Sequence, residues 1–192
     1  MDIRRLALGS LFVVALLALA PAGASERPSA AGSRLVGGTP QEHLLVEWAL
    51  ERYEAAGLEL PPLEIRFHRD PAGCLGNSGL YHSGGLDVCS ADDTLAYSRK
   101  VVLHELAHAW SEGHLTAGDR EEFLNIRDLR SWNSGEVPWG LRGNEQAAEI
   151  ITWGLGEGEI APMLPSPVDA ETLASLYEGL TGHAPINPAT AG

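Results

Sequence analysis

His104-Glu105-Leu106-Ala107-His108 stands inside a stretch, Asp93 to Gly113, whose apolar residues Leu95, Val101, Val102, Leu103, Leu106, Ala107 and Trp110 recur at helical spacing. Gly113 supplies a stop. Residues four apart share one face of a helix, so His104 and His108 can converge on one metal ion. Glu105 projects beside them, where it can take a proton from a water polarised by that ion. The pattern points to Zn²⁺, with the two histidines as metal ligands and Glu105 as the catalytic base.

An open catalytic zinc site needs a third protein ligand. One candidate is His114, ten residues after His104, the offset of the longer HExxHxxGxxH motif. That motif needs a glycine where this chain has Ser111, and the glycine falls at Gly113 instead. The other candidate is Glu145 in Asn144-Glu145-Gln146-Ala147-Ala148-Glu149. Glu145 and Glu149 lie on one helical face, so one can bind the metal while the other accepts the free ring N–H of a ligand histidine. The surrounding Ala147, Ala148, Ile150, Ile151 and Trp153 make this helix apolar nearly all round, and buried carboxylates need partners. Glu145 is favoured as the ligand, with exchange of the two roles as the alternative. His114 then remains as a candidate fourth ligand or oxyanion donor.

On these residues the chain resembles the gluzincin metallopeptidases, which carry HExxH on one helix and NExxx(D/E) on a later one. The resemblance implies a zincin-like fold in which Glu145 is the third ligand and Glu149 supports His104. It covers about a dozen residues, with Glu149 where Asp is usual and a 36-residue gap between His108 and Glu145, so the likeness is to a minimal member.

Outward from the motif, the patterning predicts an α+β domain over residues 39–192, mainly helical, with a small antiparallel sheet next to the metal-binding helix. Thr39-Pro40-Gln41-Glu42 reads as a capping box that opens a helix running to Gly57. Leu63 to His68 alternates as a strand, and Gly79–His82 with Leu86–Cys89 forms a hairpin across Ser83-Gly84-Gly85. Further helices are expected over Thr116–Leu129, Asn144–Leu155 and Ser166–Leu180, with a long loop carrying Trp132, Pro138 and Trp139 between the first two.

Residues 1–24 carry Arg4 and Arg5, an apolar run from Leu6 to Ala20, and Ala22-Gly23-Ala24 before Ser25, the pattern of a cleaved signal peptide. The apolar run, about 15 residues, is short of the roughly 20 that span a bilayer, so no stable membrane span is expected after cleavage. Residues 25–38, rich in Ser, Ala, Gly and Pro, read as a flexible linker. A secreted or extracytoplasmic location makes a disulfide between Cys74 and Cys89 the expected state; a thiolate metal site with His68 or His82 lacks the short CxxC spacing. With 26 acidic residues against 13 Lys and Arg and a net charge of −13, the chain is not built to neutralise phosphates, and nucleic acid is excluded as a partner.

These readings lead to an exported zinc-dependent peptidase acting on a peptide or protein substrate, laid along the sheet edge near Tyr81 and His82. His114, Arg142, Tyr97, Tyr177 and His183 are the candidate oxyanion donors. The competing reading is an exported, non-catalytic zinc-binding or protein-binding module on the same scaffold.

Overall fold

The computed structural model describes residues 32–89, 94–158 and 160–188; the expected signal peptide and the start of the linker lie outside these. In chain order the elements are β1 (Arg34–Val36), α1 (Pro40–Ala55), β2 (Glu64–Phe67), β3 (Gly79–His82), β4 (Gly85–Val88), α2 (Leu95–His114), α3 (Ala117–Ile126), α4 (Gly143–Leu155) and α5 (Ala170–Thr181). Short 3₁₀ turns occupy Pro71–Cys74 and Trp139–Leu141. The architecture is α+β.

The sheet is mixed rather than antiparallel. Its strand order is β1-β2-β4-β3, with β1 parallel to β2, β2 parallel to β4, and only the β3–β4 hairpin antiparallel. The difference comes from β2, which joins the hairpin through β4 in the parallel sense, and from β1, which adds a second parallel pair and lies within the stretch expected to be a flexible linker. Leu35 is buried and pairs with Ile65, and the Arg34 N–H donates to the Leu63 carbonyl at 2.8 Å. Three residues are too few to display a period of two, so this strand is specified by its long-range partner. The Cys74–Cys89 disulfide forms and ties the turn before β3 to the end of β4.

Local chemistry explains most helix boundaries. Thr39 makes the expected reciprocal capping box with Glu42 at the start of α1. The α5 helix starts later than Ser166 because Asp169 is the N-cap, accepting from the Thr172 N–H at 2.7 Å. The α3 helix stops at Ile126, short of Leu129, and two residues on Asp128 takes the left-handed φ of 52°.

The α4 helix is the centre of the molecule: every residue except Asn144 is buried, and it packs on α2, α3 and α5. Gly154 admits the closest approach, since a Cβ there would stand 2.2 Å from the Tyr177 ring. At the other side of α2, the buried Tyr53 hydroxyl donates to the Leu103 carbonyl at 2.9 Å and fixes α1. The last carbonyls of α4, which have no helical partner, are taken up by Arg52 and by Asn187. Arg52 Nε donates to the Leu155 oxygen at 2.6 Å, and Asn187 Nδ2 to the Trp153 oxygen at 2.7 Å. Both helices bearing the candidate ligands are therefore held at their backbones, which fixes where their side chains can reach.

Candidate metal centre

His104 and His108, one turn apart on α2, meet Glu145 from the first turn of α4. His104 Nε2 lies 3.1 Å from His108 Nε2 and 3.1 Å from Glu145 Oε2, and His108 Nε2 lies 3.3 Å from the same oxygen. Donors around a tetrahedral zinc at bond lengths of about 2.0–2.1 Å stand about 3.3 Å apart. The two imidazoles and one carboxylate thus form a triangle of the size a small divalent ion requires, and could hold a metal ion.

The surrounding residues hold this triangle in place. Glu149, one turn after Glu145, brings Oε1 within 3.2 Å of His104 Nδ1, a charge contact that lies off the line of a hydrogen bond. Its other oxygen accepts from Lys100 Nζ at 2.9 Å and from the Met163 N–H at 2.6 Å. Glu145 Oε1 accepts from Asn144 Nδ2 at 3.0 Å. The Trp139 ring stacks over His104 with centroids 5.9 Å apart, and the Tyr81 ring over His108 at 6.3 Å.

Electrostatics follow from this packing without metal. Burial disfavours the charged form of His104, but the contacts with Glu145 and Glu149 and the charge of Glu105 outweigh it, pushing its pKa up to about 9. Burial likewise opposes ionisation of Glu145 and Glu149. For Glu145 the two imidazoles outweigh it; for Glu149 His104, the Met163 N–H and Lys100 do so. Both carboxyls are held below the ordinary range.

Glu105 faces the same cleft from between α2 and the sheet, its Oε2 accepting the Tyr81 N–H at 2.8 Å. Gly79 makes room for it: a Cβ there would lie 2.6 Å from Glu105 Cγ and 2.7 Å from Oε1. Burial, then the adjoining Glu112, raise the Tyr81 phenol, whose hydroxyl bonds that carboxylate. The cleft has a volume of about 660 Å³ and is walled by β3 on one side and by the Trp139–Asn144 segment on the other.

Among the described residues, the candidate positions divide cleanly. His104, His108, Glu105, Glu145 and Glu149 come together; His114 does not join the metal triangle, because its ring stacks on Trp110 and Nδ1 bonds the Trp110 carbonyl at 2.9 Å. Of the candidate oxyanion donors, Tyr97 and Arg142 line the cleft, Tyr177 is buried in the core, and His183 sits against Gly57. His82 contacts Asp87 at 3.4 Å on the sheet. Sequence reasoning missed Lys100 and the Met163 N–H. Lys100 is four residues before His104, so its place on the same helical face was available as a signal; the Met163 contact, set by a distant loop, carried none.

Compared with known family models, curated proteins and solved structures, the chain matches none.

Proposed function

We propose that the protein is a zinc-dependent peptidase of the gluzincin type that hydrolyses peptide bonds outside the cytoplasm, with Glu105 as the general base. The observation that carries the reading is the three-donor triangle at 3.1–3.3 Å opening on a cleft that also contains Glu105. A structural zinc is closed by a fourth protein ligand, whereas a catalytic one keeps a position for solvent. His114, the candidate for that fourth place, is engaged with Trp110. The Cys74–Cys89 disulfide supports an oxidising compartment. Among the described residues no helix is long and apolar enough to cross a membrane.

His104, His108 and Glu145 would hold the metal, which when bound lowers the pKa of a coordinated water toward about 7 and polarises a carbonyl. Glu149 orients His104 through Nδ1, and Lys100 and the Met163 N–H keep the Glu149 carboxylate ionised and fixed. Glu105 takes the proton from the attacking water and passes it to the leaving amine. The Tyr81 N–H restrains the Glu105 carboxylate in the cleft while leaving Oε1 for that proton.

The test compares wild type with Glu105→Gln for zinc content and for cleavage of an unfolded protein. Both should bind one equivalent of zinc, and turnover should fall at least about 100-fold in the variant. Stoichiometric zinc with equal turnover would reject the assignment.

A further inference from the structure

We infer that the metal cleft contains a carboxylate-binding subsite built on Arg142, so that the preferred substrate presents a carboxylate beside the bond to be cut. The proposal deepens the peptidase reading and rests on it only for the claim that the bound carboxylate belongs to a substrate.

Arg34, Arg52, Arg66, Arg69 and Arg99 each meet a carboxylate within ion-pair reach. Arg142 meets none among the described residues, although the chain has twice as many acidic as basic residues. Unlike Arg120, which lies over Trp132, or Arg127, which donates to Gln146, Arg142 lines the metal cleft. The other cation there, Lys100, is spoken for by Glu149.

The guanidinium is also positioned in advance. Its Nε donates to the Val137 carbonyl at 2.8 Å, which leaves the two terminal nitrogens as a planar fork of the kind that takes a carboxylate bidentately. The backbone that carries it is restrained, because the Arg142 N–H donates to the Trp139 carbonyl at 3.1 Å and Gln146 Nε2 holds the Gly140 carbonyl at 2.8 Å. Arg142 lies one helical turn before the ligand Glu145, so it borders the reacting centre without entering it. With a divalent ion bound, that ion together with Lys100 and Arg142 outweighs Glu105, Glu145 and Glu149 by a single positive charge, and the cleft attracts an anion.

Two sources could supply the carboxylate: the C-terminus of a peptide or an internal acidic side chain. The probes are acetylated tetraalanine with a free C-terminus, the same peptide amidated, and amidated versions with Glu or Gln at an internal position. Binding is read by calorimetry on Glu105→Gln protein, with and without zinc, and in the Arg142→Met and Arg142→Lys forms of that protein. The expected result is that one acidic probe binds at least about 10-fold tighter than its neutral twin. That preference should vanish in Arg142→Met, shrink in Arg142→Lys, and weaken with added salt. The free-acid arm assigns the source to a peptide terminus, and the Glu arm to a side chain. Equal binding of the twins, no binding of any probe, a preference that survives Arg142→Met, or one that requires zinc but not Arg142 would overturn the proposal. Thermal melting confirms that each variant is folded, and Arg142→Lys carries the test should Arg142→Met fail to fold. A preference that follows Arg142 in a protein whose parent shows no Glu105-dependent turnover would keep the subsite and reject the peptidase.

Discussion

Titrating zinc into the metal-free protein should release a proton, and the apparent affinity should climb steeply between neutral and mildly alkaline pH. The cause is His104, whose pKa stands near 9 in the metal-free site because Glu145 and Glu149 press on a buried imidazole. A metal needs the neutral ring, and at pH 7 a group of pKa about 9 is neutral in only about 1% of molecules. Each unit of pH between about 7 and 9 therefore strengthens binding about 10-fold, worth about 1.4 kcal/mol per unit. Glu145 and Glu149, held below the ordinary carboxylate range, add no protons in this window. Calorimetry in two buffers of different ionisation heat, with a competing chelator to bring the affinity into range, should count at least about one proton at pH 7, close to one from His104 and the remainder from water at the metal. Affinities equal within about 2-fold at pH 7 and 8.5, without proton release, would refute the reasoning. The same ion pair acts on folding in the opposite sense. Since the folded pKa lies above the ordinary 6.5, its stabilisation is present in full below pH 6.5 and disappears as pH rises through about 9. Its ceiling is about 3 kcal/mol, and the lowering of Glu145 is the same contact counted from the other partner.

Three substitutions probe the supports of the site. Gly79→Ala should displace the Glu105 side chain, which would meet the new Cβ at 2.6–2.7 Å. A melting shift equivalent to about 1–3 kcal/mol, unchanged zinc affinity and a turnover loss of at least about 10-fold are expected, and full turnover would show that the carboxylate position is immaterial. Glu149→Gln removes the charge that faces both Lys100 and His104, so chelator competition above about pH 9, where His104 is largely neutral in either form, should find zinc affinity lowered by about 10–100-fold. Gly154→Ala drives a Cβ to 2.2 Å from the buried Tyr177 ring and should cost about 3 kcal/mol in denaturant unfolding.

What the chain discloses on its own is what local chemistry encodes. Thr39 and Glu42 announce the start of α1, and His104 and His108 share a helical face by spacing alone. The Glu145–Glu149 pair was readable because two acids in an apolar helix need partners, and they find them in His104, His108 and Lys100. Arg34–Val36 was not readable, since Leu35 becomes a strand residue only when Ile65 arrives beside it, 30 positions on. Trp139 over His104 and the Met163 N–H at Glu149 belong to the same class: loop residues whose place is dictated by the packing around α4, with no period or cap to give them away. Asp169 shows the opposite failure: the pattern starts the helix at Ser166, and the residue that caps it lies three positions further along.

The contact between Glu105 and the Tyr81 N–H has a bearing on how the protein behaves at high concentration. Strand β3 is the outer strand of the sheet on its side, and on that rim the Tyr81 amide is covered by an anionic side chain. An uncovered rim is a template on which another molecule can add a strand, and a negative charge there discourages it. Replacing Glu105 with Ala would thus open a seam for self-association along with removing the proposed base, whereas Gln retains an acceptor for the amide. Loss of activity in the alanine form would mix two effects that sedimentation at several concentrations separates.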